Sequence, residues 1–211
     1  MASARLPLFP IGLVLFPGIS VPLHLFEPRY RQLLTDVRET DRRFGIVCGI
    51  PGIAEQALPA GRAGCIAEVT DIEMLPDGRF NIVVVGRERF ALEHIHTDDK
   101  AYLVAEIASL PDTPDTSAVR LTVLADEVTS HFGRVVKAVR TLNDDRESPA
   151  PTLPDDSAQI AWFIASMIDV DLEQRQRLLA ERSPSMRLEQ MNAVLRNALP
   201  DLELRAAMHA R

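Results

Sequence analysis

At 211 residues, 46% hydrophobic and 25% charged, the chain has an ordinary globular make-up and can bury a core without staples. A formal charge of −7 disfavours a general nucleic-acid binder, which needs a basic face to neutralise phosphates. Cys48 and Cys65 alone make no disulfide framework, the N-terminus has no long apolar signal region, and no run approaches a membrane span, so a cytoplasmic protein is expected.

In chain order, Leu6 to Phe9 reads as a short strand closed by Pro10, and Leu13 to Phe16 is an apolar run ending at the Pro17-Gly18 turn. Ser20 to Phe26 reads as a second strand. Pro22 inside it predicts an edge or a bulge, because proline cannot donate to a ladder. A helix then starts at Pro28, with Tyr30, Leu33, Leu34 and Val37 on one face. Glu27 and Arg31 stand at the i,i+4 spacing of a helix-start ion pair, and Arg29 is expected to pair with a strand carboxylate such as Glu68.

Phe44 to Ile50 is a short strand, and Pro51 to Gly64 is a loop punctuated by glycine and proline. Cys65 to Leu75 and Phe80 to Val85 are strands around the hairpin signal Pro76-Asp77-Gly78. The second of these is apolar enough to be expected covered on both faces. Arg89 to His96 and Tyr102 to Leu110 complete a β-rich half.

Composition changes at Pro111, and the segment from Pro111 to Ala118 supplies a helix cap near Asp115 to Ser117. Val119 to Leu142 follows as a long amphipathic helix. Its stripe is Leu121, Leu124, Val128, Phe132, Val135, Val139 and Leu142. A loop from Asn143 to Pro154 leads to a helix capped by Asp155 or Asp156. Its run Ile160 to Ile164 with Met167 and Ile168 is apolar nearly all round, as the centre of a helical bundle would be. Leu172 to Glu181 is a short helix. The last helix is capped by Ser183, starts at Pro184, buries Leu188, Met191, Leu195, Leu199 and Leu202, and is expected to kink or break at Pro200. The expected division is a β-rich subdomain over residues 1–112 and a helical bundle over 113–211.

Catalytic motifs are wanting. There is no Gly-Lys pair for a phosphate loop, and no HExxH, CxxC or EF-hand pattern. Gly18 to Pro22 fails as a nucleophile elbow because Pro22 stands where the second glycine is needed. His94 and His96 share a strand face, but no third ligand is near in sequence, so no metal is expected. His24 and His131 read as hydrogen-bonded structural residues, and Cys48 and Cys65 as small buried hydrophobes. Lys100 lies in a turn-like stretch and Lys137 on the polar face of the long helix, so neither reads as a catalytic base. The residues thus point to a non-enzymatic protein with no cofactor.

The opening stretch carries a resemblance. Leu6-Pro7-Leu8, Val14-Leu15-Phe16-Pro17-Gly18, Pro22-Leu23 and Phe26-Glu27-Pro28-Arg29-Tyr30-Arg31 resemble the start of the Lon-type substrate-binding domain. The likeness continues through Gly64-Cys65-Ile66-Ala67, Leu75-Pro76-Asp77-Gly78 and Val85-Gly86-Arg87-Glu88-Arg89-Phe90, and again from Glu173 to Leu195. It implies an α+β fold: an N-terminal β-rich PUA-like pseudo-barrel with one inserted helix, followed by a C-terminal α-helical bundle. It also implies a stand-alone bacterial form of that domain, without the ATPase and serine-lysine protease modules, and carries over no catalytic residue. The implied function is a polypeptide-binding module, an adaptor or protein quality-control factor. Its partners would be unfolded or tagged polypeptides, an ATPase or protease, and other copies of itself; no membrane is among them. RNA binding, by analogy with other PUA-like folds, is the alternative reading, and charge argues against it. The expected contacts are Phe9, Phe16, Ile19 and Phe26, with Arg29 and Tyr30 at the rim.

Overall fold

A computed structural model describes residues 4–97, 100–114, 117–145 and 147–210. The elements in order are β1 (Ala4–Ile11), β2 (Ser20–Leu25), α1 (Pro28–Arg38), β3 (Arg43–Cys48), β4 (Ala63–Met74), β5 (Phe80–His96), β6 (Leu103–Ser109), α2 (Ala118–Leu142), α3 (Ser157–Met167), α4 (Leu172–Ala180) and α5 (Pro184–His209), with a 3-10 turn at Glu55–Ala57. The chain divides into two compact units. One is Met1–Pro111 with Val170–Ala180; the other is Asp112–Asp169 with Glu181–Arg211.

In the first unit the strand order is β2-β5-β4-β3-β1-β6, and a further β5–β6 pairing closes five of the strands into a ring. β5 makes this possible by its length. Phe80 to Val85 pair with β2, Phe90 to His96 with β6, and Phe80 to Ala91 with β4. The two runs expected as separate strands, Phe80 to Val85 and Arg89 to His96, are therefore one strand continuous through Gly86. The first run is not covered on both faces. Ile82 and Val84 are buried while Asn81 is exposed, as on an antiparallel sheet with one wetted face. β2 pairs with β5 alone among the described residues, so Pro22 sits on an edge strand as expected. β1 does not stop at Pro10. It runs to Ile11, because Pro10 pairs along β3 beyond Leu8, the last β1 residue that β6 reaches.

Inside the ring Leu6, Leu8, Val47, Leu58, Phe90, Leu92, Ala105 and Ile107 form one apolar cluster. The Phe90 ring lies where a Cβ on Gly64 would come within 2.3 Å, so Gly64 is the space the ring occupies. Gly86 has a different duty. Its N–H donates to Ile19 O and its carbonyl accepts from Gly18 N–H, both at 2.9 Å. A Cβ at Gly86 would stand 2.1 Å from Phe16 O, so only glycine lets the Phe16–Ile19 turn close on β5. The Pro76-Asp77-Gly78 hairpin forms as read, with Gly78 at φ +79°.

α1 buries Tyr30, Leu33, Leu34 and Val37, the face its spacing predicts. Its polar contacts depart from expectation. Arg31 does not pair with Glu27; its Nη1 donates to Gly78 O at 3.2 Å. Further along, Asp36 accepts from Tyr102 Oη at 2.7 Å and Lys100 Nζ at 2.9 Å, which ties the helix to the approach of β6. α4 belongs to this unit. Gln176 Nε2 donates to Ala63 O at 2.9 Å, and buried Arg89 donates to Leu179 O at 2.6 Å, placing a cation at the helix C-terminus.

In the second unit α2 packs along α5, with α3 against α5. Ser117, Asp156 and Ser183 cap α2, α3 and α5 by accepting backbone N–H groups; the other cap candidate near α2, Asp115, lies outside the described residues. α2 turns Ala125 and Ala138 inward beside Val128, Phe132 and Val135, and leaves Val139 exposed. α5 does not break at Pro200. The lost N–H is offset by anchors on both sides: buried Leu195 and Leu199 before it, and buried Ala206 with the Arg134–Glu203 pair after it. The polar centre is Arg187, which is fully buried. Its guanidinium forks onto Asp112 at 2.6 and 2.8 Å, donates to Glu181 O and Ala158 O, and lies 4.0 Å from the Trp162 ring centre.

Two outcomes follow from these contacts. Gly86→Ala should cost about 3 kcal/mol in a denaturant melt, because the clash is with backbone. Gly12→Ala, whose Cβ would meet nothing within 4 Å, should stay within about 0.5 kcal/mol. The Tyr102 and Lys100 bonds hold the Asp36 carboxyl below its ordinary range. Its contribution is therefore present above about pH 4, the unfolded value, and is lost as pH falls through the lower folded value. Asp36→Asn should lower the melting temperature at neutral pH and flatten its decline between about pH 5 and 2.

Candidate functional site

Along β2, period-two alternation turns Leu23 and Leu25 into the core and His24 outward. Phe26 continues the outward set and is 60% exposed, whereas most aromatic residues near it are buried. The His24 and Phe26 rings stack with centroids 6.1 Å apart. His24 is fixed from behind: its Nδ1 meets Asn81 Oδ1 at 2.8 Å, and Asn81 donates to Glu73 at 2.8 Å. Arg79 reaches the other ring nitrogen at 3.3 Å.

Beside Phe26 a cleft of about 290 Å³ opens between β1, the end of β2 and the start of α1. Phe9 and Tyr30 form its floor, and His24, Phe26, Arg29 and Glu55 stand among its walls. The Phe9 and Tyr30 rings touch with centroids 4.0 Å apart, and Phe9 meets Phe44 at 6.0 Å. Burial pushes the Tyr30 phenol well above its ordinary range, so it stays protonated.

Arg29 is held as a fixed arm. Nη1 and Nη2 fork onto Glu55 at 2.5 and 3.0 Å, and Nε donates to Glu27 at 2.9 Å. The guanidinium carbon lies 4.4 Å from the Tyr30 ring centre. The Glu55 hydrogen bonds raise the Arg29 pKa further, so the cation is permanent. Two carboxylates on one guanidinium leave the rim with a net negative charge. The expected Arg29–Glu68 pair does not form; Glu68 instead takes Arg43 and Arg87, its neighbours on the sheet.

The structure thus brings four of the six expected contacts to one cleft: Phe9, Phe26, Arg29 and Tyr30. Phe9 and Tyr30 are core residues that show only an edge there. Phe16 is fully buried in the turn that closes on Gly86, and half-buried Ile19 lies in that same turn. Glu55, Glu27 and His24 were not foreseen. The i,i+2 spacing of His24 and Phe26 on an edge strand was the one available signal.

Other histidines and the two cysteines are placed as follows in the described residues. His96 pairs with Glu106 at 3.1 Å, and the His94 and His96 rings meet edge to face at 4.6 Å. His131 Nδ1 meets Asn192 at 2.7 Å. Cys48 and Cys65 are buried free thiols, and burial pushes Cys65 up to about 12. Among the described residues no three His, Cys, Asp or Glu side chains are grouped to hold a metal ion, and no helix is long and apolar enough to cross a membrane.

Comparison with known proteins gives one answer throughout. A family model described as the ATP-dependent protease La (LON) substrate-binding domain matches residues 5–197. Lon protease of Rhizobium meliloti (strain 1021) is 27% identical over 99% of this chain and 26% of its own length. Lon protease 2 of Herpetosiphon aurantiacus is 29% identical over 96% of this chain and 25% of its own. The chain therefore spans about a quarter of the length of these relatives. A Lon N-terminal domain protein from Xanthomonas campestris has a crystal structure that superposes with a TM-score of 0.65 at 28% identity, over 90% of this chain and 98% of that one. The N-terminal domain of a Mycobacterium avium complex Lon protease shares the fold, with a TM-score of 0.68 at 16% identity over 93% of this chain and 100% of its own. By the family match along nearly its whole length, this α+β chain belongs to the Lon substrate-binding domain family.

Proposed function

We propose that this chain is a non-catalytic polypeptide-binding module of the cytoplasm. It takes up unfolded or tagged polypeptides through the Phe26 cleft, as an adaptor or protein quality-control factor that serves an ATPase or protease. The observation that carries this reading is Phe26, 60% exposed at the mouth of a cleft with an aromatic floor. Burying such a ring against a client contributes about 1.5–3 kcal/mol, one anchor among the several contacts that capture requires. The His24 stack and the Arg29 fork keep the surroundings rigid, so little ordering opposes binding. The family's substrate-binding description supports the same use.

The ionisable groups favour binding over catalysis. Both thiols are buried with raised pKa values, and His96 is committed to Glu106. Arginines 29, 43, 79 and 87 are matched by carboxylates, which leaves them poor partners for RNA phosphates.

Binding of a labelled, carboxymethylated unfolded protein, followed by fluorescence anisotropy, tests the proposal. Phe26→Ser should weaken association about tenfold while leaving the melting temperature unchanged. No association at high micromolar concentration, or equal binding by the variant, would overturn it. Arg29→Ala should behave oppositely, lowering stability by about 1 kcal/mol through loss of the fork and changing client affinity less. Unchanged melting with lost binding would show that Arg29 contacts the client directly.

A further inference from the structure

The helical unit carries a concavity of its own. It is a cavity of about 820 Å³ between α2, the loop after it and the end of α5. That is within the range of small-ligand sites, roughly 300–1,000 Å³. Phe132, Gly133, Val136 and Leu153 give it an apolar wall, and Lys137 and Arg140 give it two cations one helical turn apart.

Three observations set this cavity apart. First, the cations lack anionic partners. The chain carries 30 acidic against 23 basic side chains, yet among the described residues neither Lys137 nor Arg140 forms an ion pair. The acids on the cavity wall are engaged elsewhere. Asp144 pairs with His209 at 3.2 Å, and Asp145 accepts the Ser148 N–H at 3.1 Å, although it feels the Arg140 charge. Second, Arg140 Nη2 is buried without a hydrogen-bond partner. A buried guanidinium donor left unmatched is costly, and a bound acceptor would relieve it.

Third, Gly133 stands in the interior of α2, where glycine destabilises a helix relative to alanine. Packing does not require it, because a Cβ there would meet nothing within 4 Å. What its missing side chain preserves is the open space of the cavity. His209 and Ala210, also on the wall, lie beyond residue 197, where the family match stops.

We propose that this cavity binds a carboxylate carried on an apolar body. The body lies along Phe132, Val136 and Leu153 in the space Gly133 leaves, and the carboxylate is received by Arg140 and Lys137. Arginine suits this task because its planar donors match a carboxylate. Two sources share that chemistry: a medium-chain fatty acid, and the C-terminus of a polypeptide that ends in apolar residues.

Isothermal titration calorimetry on the full chain tests this with octanoate, octanol, and a hexapeptide ending in three apolar residues as free acid and as amide. Octanoate should bind saturably and octanol about tenfold more weakly, because it lacks the charge. Arg140→Gln and Lys137→Gln should each weaken octanoate about tenfold. Gly133→Leu should abolish binding while raising the melting temperature, which separates a filled cavity from a damaged fold. A free-acid peptide that outbinds octanoate, with its amide inactive, supports the site and names chain termini as the source; the reverse order names fatty acids. Equal affinity for octanol and octanoate, unaltered octanoate binding by Gly133→Leu, or no heat from either acid at about 1 mM would overturn the proposal.

Discussion

The β-rich unit depends on one backbone-to-backbone contact, the closure of the Phe16–Ile19 turn on Gly86 in the middle of β5. Two hydrogen bonds of 2.9 Å and the absence of a Cβ allow two main chains to lie against each other. β5 is the strand shared by β2, β4 and β6, so a fault at its centre would reach the whole ring. The contact also sets register. With Gly18 and Ile19 pinned to Gly86, β2 must pair Val21 with Val84 and Leu25 with Phe80. A slip of one residue would turn Leu23 and Leu25 outward and Phe26 inward. The exposure of Phe26 is therefore a consequence of how the opening stretch is fastened. Core-facing and solvent-facing side chains are divided by alternation along one strand.

The same division runs through the cleft. Phe9 and Tyr30 serve the core and lend only an edge, while Arg29 is fixed by two carboxylates and stiffens the rim. A surface built this way offers a rigid aromatic ring beside a net negative rim. The second unit is stabilised differently, by a buried arginine that gathers Asp112, the start of α3 and Glu181 in the segment leading to α5 around Trp162. Both terminal nitrogens of the guanidinium find acceptors while Nε is buried without one, so the hub rests on the Nη1 and Nη2 bonds and ties the helices to one arrangement.

Much of the fold was legible in the sequence because it rests on local chemistry. The face of α1, the caps Ser117, Asp156 and Ser183, and the hairpin at Gly78 all follow from spacing and backbone preference within a few residues. What could not be read depends on partners far along the chain. Arg29 finds Glu55, 26 positions away, and Arg187 finds Asp112, 75 positions away; no periodicity announces either. α4 follows α3 in sequence yet packs on β4, because the Ala63 carbonyl and Arg89 supply its polar contacts. The opening aromatics look alike in sequence. Only the register on β5 separates Phe16, which is buried, from Phe26, which is not. At Pro200 the helix runs on without a break, with packed residues on both sides of it. The carboxylate cavity was invisible for a related reason: Lys137 and Arg140 read as an ordinary polar helix face until the loop after α2 is folded beside them.

The most direct check on the central claim is NMR mapping of the isotope-labelled chain titrated with a carboxymethylated unfolded protein. Shift changes centred on His24, Phe26, Arg29 and Tyr30 are expected, with the Arg187 cluster unmoved. Changes confined to other surfaces, or none at saturating client, would contradict that claim.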